Sequence, residues 1–244
     1  VESGEPMKVS FALFNILTGL LADISILSAL EYRRRTGEGM KIETPLFDSS
    51  LFTMVYIPLI YLMTGRKPVK MGSAHPSIVP YQAFKCRDGK YIAIGAFNDD
   101  MWRRFCEALG LEELVEDERF KTNIDRVRNR EELIRILNRK FLEKTRGEWM
   151  EMLERYNVIV GPVYGVDEVF KDPYVKESEI VTTMQHTVLD EIKQIMYPSL
   201  FNDNRLRPEI PPPEKGENTF EILKIYGYSD SEILELVEKG VVCC

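Results

Sequence analysis

The chain has 244 residues, 44% of them hydrophobic, enough apolar material to bury a core in one large domain or two modest ones. A formal net charge of −7, from 32 Lys and Arg against 39 Asp and Glu, argues against a broad nucleic-acid surface, which needs clustered cations without an acidic excess. Cys86, Cys106, Cys243 and Cys244, with His75 and His186 as the only histidines, have neither the density of a disulfide framework nor metal-ligand spacing, so a reducing, cytoplasmic setting is expected and no metal.

The chain opens on Val1 with a polar lead-in, VESGEP, which would suit a cleaved, trimmed or split polypeptide. Two apolar runs follow, Phe11–Leu30 and Leu51–Thr64. About 20 apolar residues can span a bilayer. Asp23, however, would sit near the centre of the first run at a cost of roughly 2.5–3.5 kcal/mol, and the second is short and holds Pro58. A basic leader and cleavage pattern are missing. The expectation is therefore two helices buried on most sides, with a layer of protein around them and no membrane. Arg33–Arg35 fall in a last helical turn, where cations complement the helix dipole, and Gly37 and Gly39 supply the stop. KIETPLFD reads as a short strand. The next helix starts from Asp48 or Ser49 as N-cap and ends at Gly65.

From Gly72 the pattern changes to turns and alternating strands. Tyr81–Cys86 and Tyr91–Ala96 flank an Arg-Asp-Gly-Lys turn and predict a hairpin. NDDMWRRFCEALG predicts a helix capped by Asn98 or Asp99 and stopped at Gly110, with Met101, Trp102, Phe105 and Leu109 on one face. Helical spacing persists through NREELIRILNRKFLEKT and RGEWMEMLERY, whose Glu and Arg runs read as solvated faces. VIVGPVYG reads as an apolar strand, MQHTVLDEIKQIMYP as β-rich, and RPEIPPPEKGENT as an extended linker. The chain closes on two helices joined by a turn, the second capped by Ser229.

No phosphate loop, Cys-His pair, metal cluster or Ser-His-Asp set is completed by these residues. The ordered motifs carry more. P-x-x-V, N-x-x-T-G-L and R-x-T-G-E-G are followed by HPSIVPYQAF, DGKYIAIG, ND-x-x-W-x-x-F-C-x-A-L-G and DERFKTNIDRVRNREEL. GPV, GENT, GYSDSEI and GVV complete the series. From Pro6 to Val242 this order resembles the family III CoA-transferases, which include carnitine dehydratase-like and bile-acid-inducible CoA-transferases and α-methylacyl-CoA racemases.

The resemblance implies an α/β protein: a nucleotide-fold-like large domain with a smaller α+β domain inserted in it. On that plan residues 1–72 are a large-domain segment with buried helices. Residues 73–185 form the small domain, and 186–244 return as C-terminal helices on the large domain. The chain covers only the later part of the plan. Acyl-CoA and an organic acid are the implied substrates, with CoA carried as a thioester and no tightly bound cofactor. The implied partner is a second copy in an interlocked dimer, or a separate chain supplying an N-terminal half.

Family transferases place an Asp three residues before the Thr-Gly pair, and its carboxylate attacks the acyl-CoA thioester. Here that position is Asn15, a neutral and weak nucleophile. An engineered change, a paralogue without transferase activity and a never-complete site all fit, as does a plain cap or core hydrogen bond. Racemases of the family carry a Glu after the IGA-type strand, where this chain has Asn98. By the same resemblance His75 lies in a motif near bound CoA, against the plain reading of a turn residue, and Tyr81 and Gln82 line the acyl or adenine region. Gly72 and Gly95 permit close backbone approach. His186 reads as structural, and RTGEG as a helix stop more than a phosphate site.

Overall fold

The first apolar run winds into one helix, α1 (Leu13–Thr36). Thr18, Ser25, Ser28 and Thr36 donate their hydroxyls to carbonyls four residues earlier, so the helix satisfies these polar donors itself. Arg33–Arg35 fill the last turn, and Gly37 ends it at φ 80°, donating its N–H to the Arg33 carbonyl. RTGEG is thus a helix stop. The computed structural model describes residues 7–243, which divide into two units between Val163 and Tyr164. Val1, Pro6 and Cys244 lie outside the described residues.

The next stretch departs from expectation. KIETPLFD forms no strand; Pro45 is instead the N-cap of α2 (Leu46–Thr53). A strand needs a partner for its backbone N–H and C=O groups, and no sheet among the described residues reaches this segment. Asp48 and Ser49 therefore lie inside the helix, and Ser49 Oγ donates back to the Pro45 carbonyl at 2.8 Å. The single helix expected to run to Gly65 is two. Val55, at φ 54°, separates α2 from α3 (Tyr56–Thr64), and the pair is bent by 82°. Pro58 explains the break: within a continuous helix its ring would clash with the Met54 carbonyl, whereas in the first turn of α3 its missing N–H costs nothing.

The expected burial of these helices is not met by the described chain. No residue of α1 or α3 is buried, and Phe14, Ile16, Leu20, Leu27 and Leu30 stay exposed. By length and composition alone α1 is long and apolar enough to cross a bilayer, and α2 with α3 reaches that measure only as a bent pair.

The core of the first unit lies farther along. β1 (Tyr81–Lys85) and β2 (Tyr91–Gly95) form the expected hairpin. α4 (Asp99–Leu109) starts at Asn98, whose side chain accepts the Met101 N–H, and stops at Gly110. The short α5 (Glu113–Glu116) and α6 (Asn123–Arg128) lead to α7 (Arg130–Phe141) and α8 (Arg146–Arg155). β3 (Ile159–Val163) then pairs antiparallel with β2, giving the order β1-β2-β3. Alternation sends Phe84, Ile92 and Ile94 to one face, where they are buried with Trp102, Phe105, Leu133, Leu137, Phe141, Trp149 and Leu153. The Phe84 and Phe141 rings stack at 4.7 Å, and Trp149 Nε1 donates to the Phe141 carbonyl.

α8 begins with a reciprocal cap. Thr145 Oγ1 accepts the Glu148 N–H, and the Glu148 carboxylate accepts the Thr145 N–H at 2.7 Å and its hydroxyl at 2.8 Å. The Thr145 N–H, then its hydroxyl, hold the Glu148 carboxyl below its ordinary range. A carboxyl with a lowered folded-state pKa contributes stability that is full above its unfolded value and is lost as pH falls through the folded one. Thr145→Ala should cost about 1 kcal/mol at neutral pH. The cost should shrink in acid, as pH falls through the lowered range of Glu148 and its carboxyl takes up a proton, leaving the loss of the N–H acceptor. Urea unfolding at both pH values reads this, and an equal cost at both would remove the carboxylate from the cap.

The second unit holds α9 (Val166–Val169) and α10 (Pro173–Glu177), then the antiparallel hairpin of β4 (Val181–His186) and β5 (Asp190–Ile195). His186 Nδ1 accepts the N–H groups of Val188 and Leu189, so its ring ties the turn together. β6 (Leu200–Phe201) pairs with β7 (Asn204–Arg205). After the irregular proline run, α11 (Thr219–Ile225) leads to α12 (Asp230–Glu238), capped as expected by Ser229. The described fold mixes helices with strands that pair only antiparallel.

Candidate functional site

His75 is carried on the loop that enters β1, and its N–H donates to the Tyr81 carbonyl at 2.9 Å. The imidazole stacks on Tyr81, with centroids 5.2 Å apart and planes 16° apart. Tyr56, at the start of α3, lies 5.6 Å away and brings its hydroxyl to 3.1 Å from His75 Nε2. On the other side Phe97 meets Tyr81 edge-on at 5.0 Å. Gly95 stands opposite Tyr81 in the β1-β2 register, and a Cβ there would lie 2.6 Å from the Phe97 ring. Only glycine lets that ring fold over the strand, which gives the close approach expected at Gly95 a definite partner.

Three side chains from the segment Asn123–Arg130 hold the loop. Asn123 Nδ2 donates to the Ser77 carbonyl at 2.8 Å, and its Oδ1 accepts the Val79 N–H at 3.2 Å. Arg126 Nε donates to the Val79 carbonyl at 2.8 Å. Arg130 Nη2 donates to the carbonyls of His75, at 2.7 Å, and Pro76, at 3.0 Å. Arg130 had read as part of a solvated face. The missed signal is the spacing: positions 123, 126 and 130 recur at one-turn and two-turn intervals, although the residues belong to two successive helices, α6 and α7, which part at Asn129.

The other expected residues lie elsewhere. Gln82 points to the opposite side of β1 and lines a concavity of about 520 Å3 with Lys70, Arg130 and Asn138. Asn98 is exposed, and its side-chain oxygen accepts the Met101 N–H at 2.8 Å. Asn15 is the third residue of α1 and exposed; Ala12 is the N-cap, so Asn15 neither caps the helix nor sits in a core. A concavity of about 970 Å3 in the second unit, lined by Phe170, Thr182, Ile195 and Arg207 among others, includes none of the expected residues.

Cys86 and Cys106 are buried and free. Burial, helped by Asp88, pushes the Cys86 thiol up to about 11, and burial drives Cys106 higher still. Neither supplies a thiolate at neutral pH. Among the described residues no group of three His, Cys, Asp or Glu side chains is placed to hold a metal ion.

Comparison with known proteins supplies the context. The sequence profile of CoA-transferase family III matches residues 1–219. The chain is 36% identical over 242 residues to succinyl-CoA:glutarate CoA-transferase of Homo sapiens, covering 99% of this chain and 55% of the relative. It is 31% identical over 220 residues to succinate--glutarate CoA-transferase of Agrobacterium fabrum, covering 90% and 55%. A crystal structure of a CAIB/BAIF family protein from Brucella suis superposes with a TM-score of 0.71 at 34% identity, covering 91% of this chain and 57% of that one. The chain thus spans about half the length of the curated relatives it matches. With the profile matched over most of its length, the chain belongs to CoA-transferase family III.

Proposed function

We propose that this chain serves acyl-CoA:carboxylate CoA transfer, the passage of CoA between an acyl-CoA and an organic acid, with the thioester as substrate and no tightly held cofactor. The observation that carries this reading is similarity across 99% of the chain to a protein named succinyl-CoA:glutarate CoA-transferase. The relatives' names make succinyl-CoA and glutarate the first pair to try. In this reading His75 and Tyr81 offer aromatic planes to the acyl or adenine group. Asn98 spends its oxygen on a helix cap, which suits a transferase better than a racemase needing an acid or base there.

Residues 1–72 then belong to the nucleotide-fold-like large domain, with the small domain beginning near residue 73. The exposed apolar faces of α1 and α3 are covered in the assembled protein, since apolar surface on that scale marks interaction sites. An intertwined second copy in the cytoplasm is the cover this reading favours. One observation supports a second reading, a non-catalytic assembly subunit: the family's nucleophile position holds Asn15.

Calorimetric titration of the product of the whole reading frame with succinyl-CoA tests both readings at the binding step. Saturable binding, with a dissociation constant on the order of micromolar, is expected. A protein that binds no CoA thioester at all would end the transferase reading.

A further inference from the structure

We propose that Asn123 and Arg130 are positioning residues of this site: acting through the loop backbone, they hold the His75 ring stacked on Tyr81 in one tautomer, with its proton on Nε2 and directed at Tyr56. The proposal rests on reading the His75–Tyr81 cluster as the substrate region, and it names what sets that region's geometry.

The chain of bonds runs from α6 and α7 to the ring. Ser77 N–H donates into His75 Nδ1 at 3.2 Å, and the Ser77 hydroxyl lies 3.4 Å from the same nitrogen. That nitrogen therefore presents its lone pair, and the neutral ring carries its proton on Nε2, 3.1 Å from the Tyr56 hydroxyl oxygen. Ser77 is itself exposed and owes its place to Asn123, whose amide donates to the Ser77 carbonyl and accepts the Val79 N–H. One side chain thus grips both ends of the Ser77–Val79 segment. On the other flank, Arg130 bridges the carbonyls of His75 and Pro76 with a single nitrogen. Its Nη1 is buried without a partner, and burial lowers the guanidinium pKa. The guanidinium is anchored to the two loop carbonyls through that one nitrogen.

The consequence is a defined polarity. With Nδ1 occupied by Ser77, the ring edge that faces Tyr56 is a hydrogen-bond donor. A thioester or carboxylate oxygen that displaced the Tyr56 hydroxyl would meet an N–H rather than a lone pair.

Long-range 15N–1H spectra at mildly alkaline pH of the product of the whole reading frame, with the His75 and His186 signals assigned by substituting each in turn, resolve the two rings. His186, held through Nδ1 by its own hairpin turn, serves as the internal control. Both rings are expected as Nε2–H tautomers in the unaltered chain. Asn123→Asp keeps the acceptor for Val79 and loses the donor to Ser77; Arg130→Met removes the donor to the His75 and Pro76 carbonyls. Each should raise the Nδ1–H population of His75 roughly tenfold, the factor one ordinary hydrogen bond supplies, and leave His186 unchanged. Arg130→Lys should restore part of the loss. A His75 that is Nδ1–H in the unaltered chain, or that keeps a pure Nε2–H form in both variants, overturns the proposal. Loss of the signal of the Trp149 indole N–H, buried in the same unit and bonded to the Phe141 carbonyl, identifies a variant that has unfolded, and the unaltered chain's tautomer still decides. These spectra need no ligand, so an intact clamp in a protein that binds no succinyl-CoA would count against the functional reading and leave the clamp standing.

Discussion

Asn15→Asp, made in the product of the whole reading frame, is expected to turn an inert position into a covalent one. A carboxylate oxygen there attacks the thioester carbonyl, the C–S bond breaks, and an acyl-aspartyl anhydride forms as CoA leaves as thiolate. The thiolate then attacks the aspartyl carbonyl, expelling the acyl group as its carboxylate and leaving an aspartyl-CoA thioester. The neutral amide can do neither step, so the gain in CoA transfer should be on the order of a thousandfold or more. The local structure tolerates the change. Asn15 is exposed in the first turn of α1, which has no acidic residue there, and a carboxylate near a helix N-terminus is favourable by about 0.3–1 kcal/mol. Covering α1 in an assembly would set a desolvation cost against this, so activity is to be counted per folded molecule. Hydroxylamine after incubation with succinyl-CoA should leave a hydroxamate at residue 15, seen by mass spectrometry. If folded Asn15→Asp protein forms no adduct with any of a panel of acyl-CoA donors, the assembly-subunit reading takes over.

Arg126→Met should cost on the order of 3–5 kcal/mol of stability. Arg126 is 0% exposed, yet its guanidinium reaches three backbone carbonyls, those of Val79, Phe120 and Lys121, and lies over the Trp102 ring at 4.9 Å. Methionine fills a similar volume and leaves all three carbonyls without that donor. The ion pair with Asp99 contributes little by comparison, because the Asp99 side chain is 63% exposed and screened by solvent. Asp99→Asn should therefore cost less than about 1 kcal/mol, which separates the carbonyl bonds from the charge pair. Urea unfolding followed by Trp fluorescence measures both. An Arg126→Met loss below that of Asp99→Asn would show that the carbonyls find other partners and that the buried guanidinium is not what ties the loop to the core.

Much of this molecule was legible in sequence because local physics decides it. The Arg-Asp-Gly-Lys turn between alternating strands, the Asn98 and Ser229 caps, and the Gly37 and Gly110 stops are set by residues within a few positions of each other. The ordered motifs identified the family for the same reason, since they need no knowledge of contacts. The failures share a cause as well. KIETPLFD has the composition of a strand, but a strand exists only where another offers its hydrogen bonds, and none does among the described residues. The apolar runs were expected to be buried, yet burial is a relation to other surfaces, and α1 meets none that covers it here.

The site divides along the same line. Sequence singled out His75 and Tyr81 by their motif, and Asn15 by the resemblance, which implies a carboxylate at that position. Only the fold stacked the two rings, brought Tyr56 to Nε2, and sent Gln82 to the far side of its strand, because side chains alternate along β1 and because Tyr56 and His75 are 19 residues apart. Arg126 and Arg130 look alike in a run of charges. One is fully buried and the other half-buried because loop carbonyls 47 and 55 residues earlier need donors, and a hydrogen bond over that distance in sequence is fixed by tertiary structure alone.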